Sequence, residues 1–174
     1  MRETQKTYLC FFSMIATSMA VMFGLMYLNS YEMAHVRWSE TRFYMTLIMG
    51  AGMAVVMLSF MLGMYENSKV NALIYSGSVV VFLASLWLVR SQSTVDDNSW
   101  MKAMIPHHSI AILTSERANI NDARVQALAK AIIEAQRREI KEMEWMLKDI
   151  EANGVAKTEA EAAARPVPDF DVNT

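Results

Sequence analysis

The chain has 174 residues, 53% of them hydrophobic and 20% charged, with a net charge of −2, one cysteine and 16 methionines. A single cysteine excludes a disulfide scaffold within the chain and a cysteine-cluster metal site, and a charge near zero argues against a nucleic-acid partner, which would need a basic face. Residues 1–95 carry only six Lys or Arg and four Asp or Glu, against ten and fourteen in residues 96–174. This division predicts a membrane region, residues 1–90, followed by a water-soluble region.

Three windows without Asp, Glu, Lys, Arg or His predict membrane-spanning helices at about residues 7–28, 43–65 and 70–89. Each window reaches the roughly 20 mostly apolar residues that a helix needs to cross the hydrocarbon core of a bilayer. Aromatic residues at the window edges, among them Tyr27, Phe43 and Trp87, match the interfacial preference of such side chains. The basic residues outside the windows are almost evenly divided between the two sides, so the positive-inside rule does not select an orientation.

The second predicted span carries a methionine at every fourth position: Met45, Met49, Met53, Met57 and Met61. This spacing lays the side chains along one slowly drifting face of a helix. Packing is the simpler interpretation, because methionine is a flexible apolar gap-filler; the alternative is a thioether ladder that passes Cu(I). Cys10 and His35 do not join the stripe, and Gly50, Gly52 and Ala54 beside it offer a small-residue face for close helix contact.

The soluble region reads as a linker (91–95), a helical hairpin (96–153) and a flexible tail (154–174). Thr94 or Asp96 suits the N-cap of the first helix, Asp122 suits that of the second, and Gly154 suits the second helix's end. A hairpin of about 58 residues cannot bury a large core alone. We therefore expect a homodimer in which two antiparallel hairpins complete a four-helix bundle.

Several side chains of the kind that bind soft metal ions are predicted to lie where the two helices of this hairpin face each other. Met101, Met104 and His108 share one face of the first helix, with His107 about 100° away. Counting from a turn centred near residue 120 places Met101 level with Glu139, and His108 level with residue 132. Thioether and imidazole groups together suit Cu(I).

Polar residues also interrupt the apolar face of the second helix. A buried carboxylate needs a partner, so Glu139 is expected to orient a histidine or to bind the metal itself. The predicted metal ligands are His107, His108, Met101, Met104 and Met143, and the predicted supporting residues or further ligands are Asp97, Gln136 and Glu139.

Two alternatives stay open. The histidines and methionines could simply complete the core of a structural, dimerising or partner-docking module. A ferritin-like redox enzyme with an iron site would use several glutamates and Glu-x-x-His motifs. Residues 104 and 105, three positions before the two histidines, are Met104 and Ile105, so the pattern favours binding over catalysis. Pro106 should kink the first helix just before the histidine pair, or else mark its start.

The run from Met101 to His108, followed later by Gln136, Glu139 and Met143, resembles the bacterial domain-of-unknown-function family 305. That family's pattern contains Met-Ile-Pro-His-His and then Gln-x-x-Glu-Ile-x-x-Met, and the match covers about residues 96–150. One departure is Trp145, which follows the last methionine of the pattern by two residues instead of three.

The resemblance implies a ferritin-like helical hairpin that dimerises, in periplasmic or membrane-associated proteins that bind copper. On this basis we expect a bacterial inner-membrane protein with a cytoplasmic N-terminus and a periplasmic hairpin. Its expected role is the sequestration, delivery or tolerance of Cu(I).

Overall fold

The computed structural model describes residues 2–170, with side chains from residue 5; Met1 and the end of the predicted tail, residues 171–174, lie outside the described residues. All regular structure in residues 2–170 is helical, as the sequence predicts. The helices are α1 (Arg2–Leu25), α2 (Glu40–Phe60), α3 (Ser68–Ser91), α4 (Asp97–Arg117), α5 (Ala123–Asn153) and α6 (Glu159–Ala164), with short 3-10 helices at Met33–His35 and Leu62–Met64.

The chain forms two compact units. The first contains α1, α2 and α3; the second contains α4, α5 and α6 together with the connection between α1 and α2, Asn29–Ser39. The sequence pattern places this connection in the membrane region, whereas the structure groups it with the hairpin. The reason is a set of contacts that Tyr31 and His35 make with Ser109 of α4.

Three helices of the first unit are long and apolar enough to cross a membrane: Gln5–Leu25, Glu40–Phe60 and Ser68–Ser91. They agree with the three predicted spans, although the boundaries differ. The second span ends earlier than predicted, because the chain turns at Met61 into the 3-10 helix. The third begins where Asn67 Oδ1 accepts hydrogen bonds from the backbone N–H groups of Lys69 and Val70, at 3.1 and 3.2 Å.

A buried polar contact joins α1 to α3 inside this unit. The Tyr8 hydroxyl donates to Asn71 Oδ1 at 2.6 Å, and Asn71 Nδ2 donates to the Tyr65 carbonyl oxygen at 2.6 Å. Around this contact pack Phe11 and Leu58, both fully buried. The contact lies where α3 begins, and it gives the buried Asn71 side chain both a donor and an acceptor.

The predicted small-residue face of α2 is only partly used. A Cβ atom at Gly50 would overlap the Met19 sulfur, so the absence of a side chain there allows α1 and α2 to pack closely. Ala54 is also buried, whereas Gly52 is exposed, and a Cβ atom added there would meet nothing within 4 Å.

The methionines of the α2 stripe differ in burial along the helix. Met53, Met57 and Met61 pack against the buried cluster of the unit, whereas Met45 and Met49 are 44% and 37% exposed. The packed half fits the interpretation of methionine as a gap-filler.

Helices α4 and α5 form an antiparallel hairpin joined by residues 118–122. Asp96 Oδ1 accepts a hydrogen bond from the Ser99 N–H at 2.7 Å, and Asp122 Oδ1 accepts one from the Arg124 N–H at 2.8 Å. Gly154, with φ of 77°, ends α5. Pro106 lies inside α4 and does not mark its start.

The hairpin core occupies only part of the interhelical surface. Ile105, Ile112 and Ile140 are at most 4% exposed, whereas Val125 and Leu128 near the turn are 46% and 59% exposed. The last turn of α4 is polar (Thr-Ser-Glu-Arg), so it offers these two apolar side chains little to pack on. The apolar face predicted for α5 is therefore buried mainly along its second half.

The predicted flexible tail contains a short helix, α6. The Thr158 hydroxyl accepts a hydrogen bond from the Glu161 N–H, and Glu161 Oε2 accepts one from the Thr158 N–H, which together form a capping box. The Arg165 guanidinium then pairs with Asp149 of α5. The capping box thus forms the short helix, and the pair between Arg165 and Asp149 holds the segment against α5.

Candidate metal centre

Helix α4 carries the first part of the predicted site on its inner surface. Met101 is 4% exposed and Met104 is partly buried, and both belong to the apolar cluster between α4 and α5. Their spacing from His108, seven and four residues, places all three on one side of the helix. The thioethers therefore lie within the hairpin and not on its outer surface.

Helix α5 contributes Met143, which is 4% exposed and belongs to the same cluster. Glu139 lies one turn earlier on this helix and is 40% exposed, so it stands at the edge of the cluster. Gln136 is partly buried one turn before Glu139. Gln136 and Glu139, which the sequence predicts to interrupt the apolar face of α5, thus lie at the edge of that face.

His108 and Glu139 meet across the hairpin. Nδ1 of His108 lies 3.2 Å from Oε2 of Glu139, and the His108 side chain is 13% exposed. Although the two atoms are close, the buried Nδ1 has no hydrogen-bond partner. Buried ring nitrogens usually have a hydrogen-bond partner, so Nδ1 of His108 is an atom that is able to take a further ligand.

The surroundings of His108 favour the neutral imidazole. Burial lowers the pKa of His108 below its usual 6.5; the Glu139 carboxylate acts in the opposite direction, and His107 lowers the pKa further. A neutral imidazole is the form that binds metals, because its ring nitrogen then offers a lone pair.

The contact between His108 and Glu139 differs from the sequence-based prediction, in which counting from the turn places His108 level with residue 132. Each Cα–Cβ bond leans toward the N-terminus of its own helix. In an antiparallel hairpin, side chains of α4 therefore lean away from the turn and those of α5 lean toward it. This lean brings Glu139 and His108 closer, but seven positions span about 10 Å along a helix, so the two helices also pair in a different register from the one counted from the turn.

The remaining predicted residues lie at the border of this region or outside it. His107 is exposed, and its ring centroid lies 6.1 Å from that of His108, with the ring planes inclined at 57°. Asp97 is exposed in the first turn of α4. The structure thus brings Met101, Met104 and Met143 into one cluster and His108 against Glu139, and it leaves His107 and Asp97 in solvent.

Among residues 5–170, no three imidazole, thiol or carboxylate side chains come together as a metal site would require. A metal ion here would need thioether ligands beside His108. Thioethers are soft ligands and select soft ions such as Cu(I), whereas zinc and iron sites rely on thiolate, imidazole and carboxylate. The residues present therefore fit a soft ion and do not fit a carboxylate-rich iron site.

A neighbouring cluster, absent from the sequence-based prediction, joins the first connection to α4. Ser109 is fully buried; its Oγ accepts a hydrogen bond from the Tyr31 N–H at 2.7 Å and lies 3.0 Å from Nδ1 of His35. Nε2 of His35 lies 3.8 Å from Glu32. The sequence holds one signal for this contact: two predicted spans separate residues 29–39 from the hairpin, and two crossings would return the chain to the same side of a membrane.

Residues 88–169 match the family described as "Domain of unknown function (DUF305)", a range that includes α4, α5 and α6. The chain is also similar to "Uncharacterized protein L153" of Acanthamoeba polyphaga mimivirus, with 30% identity over 135 residues that cover 76% of this chain and 87% of that protein. No solved structure matches. The chain belongs to the DUF305 family.

Proposed function

We propose that the protein is a membrane-anchored metal-binding protein whose helical hairpin binds Cu(I) for sequestration, delivery or tolerance. The observation that carries the proposal is the buried Nδ1 of His108, which has no hydrogen-bond partner and lies on the same face of α4 as two methionines. Family membership agrees with the proposal but assigns no activity by itself.

The ligands would come from both helices of the hairpin. Met101 and Met104 would offer thioethers from α4 and Met143 would offer one from α5, beside the imidazole of His108. Glu139 lies 3.2 Å from Nδ1 of His108, so its carboxylate would lie beside the bound ion, where it could serve as a further ligand. His107, which is exposed, would take part in the entry or transfer of the ion.

A binding role fits these residues better than a redox enzyme. A ferritin-like iron site needs several carboxylates around the metal. The only carboxylate that the structure places against His108, among the described side chains, is that of Glu139. We therefore assign the hairpin to holding the ion and not to turning over a substrate.

We further propose that two hairpins associate. Val125 and Leu128 line an open groove of about 230 Å³ near the turn, together with Ile120 and Ile132. Exposed apolar side chains of this size are costly in water, and a second copy of the hairpin would cover them and complete a four-helix bundle. This surface is also the observation that supports the alternative role, a dimerisation or docking module without a metal.

The proposed location is a bacterial inner membrane, with the N-terminus in the cytoplasm and the hairpin in the periplasm. Three apolar helices support membrane insertion. An odd number of spans separates the two termini, which would place the hairpin in the compartment where cuprous ions are handled.

The deciding experiment is an anaerobic Cu(I) titration of the full chain in detergent against a chromogenic Cu(I) chelator. We expect wild type to compete for the ion. The double variants His107→Ala/His108→Ala and Met101→Leu/Met143→Leu should each bind about tenfold more weakly or worse. Leucine keeps the volume of methionine while removing the sulfur.

The matched control is Met33→Leu/Met64→Leu, at two methionines that are 86% and 62% exposed. It should bind as wild type does. A triple variant, Met53→Leu/Met57→Leu/Met61→Leu, tests whether the membrane stripe takes part. Equal affinity for wild type and both hairpin variants would contradict the proposal, as would the absence of any Cu(I) binding.

A further inference from the structure

Two of the candidate ligands, Met101 and Met143, lie below the surface of the hairpin unit, and each is only 4% exposed. No ion from solution reaches either sulfur atom until a covering group moves, and a metal site needs an entry path. Helices α4 and α5 bury the strip along which they touch each other. A third element adds to the cover on these two methionines.

This third element is Tyr31, in the connection between α1 and α2, Asn29–Ser39. Its side chain is partly buried and packs against the apolar cluster that contains Met101 and Met143. The Arg137 guanidinium carbon lies 5.8 Å from the centroid of the Tyr31 ring, and Arg137 Nη2 lies 3.5 Å from the Tyr31 hydroxyl. Since the ring contacts both a buried cluster and a partly exposed guanidinium group, it lies at the border between the thioethers and solvent.

Ser109 of α4 holds the backbone of Tyr31 in this position. The fully buried Ser109 Oγ accepts a hydrogen bond from the Tyr31 N–H at 2.7 Å, and Nδ1 of His35 lies 3.0 Å from the same oxygen. Ser109 follows Met101 by eight residues, a spacing that keeps both on the inner side of α4. The hydroxyl group thus attaches the connection to the helix face that carries the methionine.

The other contacts of the connection with the hairpin are weak or exposed. Met33 is 86% exposed, and the ion pair between Arg37 and Glu144 joins two partly exposed side chains. Exposed ion pairs contribute little to stability, and segments with few buried contacts open at a low free energy. Loss of the hydrogen bond between Tyr31 and Ser109 would therefore release the ring while α4 and α5 keep their own contacts.

We propose that the connection Asn29–Ser39 is a movable cover of the candidate metal centre. Opening at the contact between Tyr31 and Ser109 admits the ion to Met101 and Met143, and closure retains it. Ser109 is then a positioning residue that acts through Tyr31. The entry of an ion rests on the proposed Cu(I) site, whereas the cover itself is a property of the metal-free chain.

The first test measures how fast hydrogen peroxide oxidises each methionine to the sulfoxide in the metal-free full chain in detergent, by peptide mass spectrometry. In wild type, Met101 and Met143 should react at least about tenfold more slowly than Met33. Ser109→Ala, which removes the acceptor, and Tyr31→Ala, which removes the ring, should each accelerate oxidation of both buried methionines about tenfold. The oxidation rate of Met33 should not change.

Two further variants are matched controls. Thr114→Ala removes a hydroxyl that bonds only within its own helix, and Tyr31→Phe keeps both the ring and the N–H; both should oxidise as wild type does. Amide exchange along α5 should stay unchanged in Ser109→Ala. Equal oxidation of wild type and Ser109→Ala would overturn the proposal. Faster exchange along the whole of α5 would also overturn it, because the hairpin would then have opened as a unit.

The second test follows the anaerobic transfer of Cu(I) from the loaded full chain to an excess of chromogenic chelator. Ser109→Ala should release the ion about tenfold faster, while its equilibrium affinity changes by less than about twofold. An open cover speeds entry as well as exit, whereas the loss of a ligand lowers affinity. Thr114→Ala should release the ion as wild type does.

The two tests separate failure of the cover from failure of the proposed function. If wild type binds no Cu(I), the proposed function is refuted, and the oxidation rates still decide whether Tyr31 covers the methionines. If wild type and Ser109→Ala bind Cu(I) and release it at equal rates, the proposed function stands and the entry path is refuted.

Discussion

Nδ1 of His108 and Oε2 of Glu139 lie only 3.2 Å apart, yet the buried Nδ1 has no hydrogen-bond partner. The carboxylate favours a positive charge on the ring, and burial opposes it. Burial has the larger effect, so the imidazole is neutral, and its Nδ1 has no hydrogen-bond partner. This unsatisfied contact connects the fold to the proposed chemistry.

The first prediction concerns the charge of His108 in the metal-free protein. Glu139→Gln removes the group that raises the pKa of His108, so the pKa should fall further below 6.5. The measurement is an NMR titration of the imidazole. The control is Glu134→Gln, at an exposed position of α5, which should leave the titration unchanged. A rise of the pKa in the Glu139 variant would contradict this account of the pair.

The same shift gives the hairpin a pH dependence. Because the pKa of His108 is lower in the folded state than in the unfolded state, the unfolded chain binds the proton more tightly. The folded state therefore keeps its full stability above about pH 6.5, and it loses stability as the pH falls through the lowered pKa of His108 in the folded chain. In His108→Gln, amide exchange in α4 should lose this part of its pH dependence.

The second prediction concerns Ser109. Ser109→Ala removes the acceptor of the Tyr31 N–H and the partner of His35, which should cost about 1–3 kcal/mol of local stability. Hydrogen exchange should accelerate in residues 31–35. The control is Thr114→Ala, because its hydroxyl bonds only to carbonyl groups of its own helix. Unchanged exchange in the Ser109 variant would show that the connection is held by other contacts.

The third prediction concerns association of the hairpins. Val125→Glu/Leu128→Glu places two charges on the exposed apolar surface and should convert a dimer to a monomer, as judged by light scattering in detergent. Val155→Glu/Val167→Glu makes the same change at two other exposed valines and should preserve the dimer. A wild-type protein that is already monomeric would refute the proposed dimer.

The fourth prediction concerns the polar contact in the membrane unit. Asn71→Leu leaves the Tyr65 carbonyl group without its donor and removes an acceptor of the Tyr8 hydroxyl. We expect a loss of about 0.6–2 kcal/mol, seen as a lower thermal midpoint in detergent. Ser76→Ala, whose hydroxyl bonds only within its own helix, is the control. If Tyr8→Phe and Asn71→Leu destabilise additively, the two side chains are not coupled.

Local features of the fold were accessible from the amino-acid sequence because their causes are local. Asp122 caps the helix that follows it, and Gly154 ends that helix with a positive φ that few other residues adopt. The three spans follow from runs of apolar residues. The assignment of residues 29–39 to the hairpin unit depends on Tyr31 and Ser109, which are 78 positions apart, and no periodicity reports such a contact.

The sequence predicts which residues share one face of α4 in the candidate site, but it does not predict which positions of α4 and α5 meet. The spacing of Met101, Met104 and His108 identifies one helix face, and the structure places the two methionines in the core. The partner of His108 depends on the register in which α4 and α5 pack and on how side chains lean along each helix, and counting residues from the turn gives neither. The exposure of His107 depends on which face α5 covers, and that is a tertiary property.

The contact between Tyr31 and Ser109 also sets an order of events during synthesis. Since 78 positions separate the two residues, a ribosome adding 5–20 residues per second needs roughly 4–16 s to produce the second after the first. Until Ser109 has been made, the Tyr31 N–H lacks this hydrogen-bond acceptor. The hairpin unit is therefore completed only after the third span has been made, and a fragment that begins after that span would lack one wall of the unit.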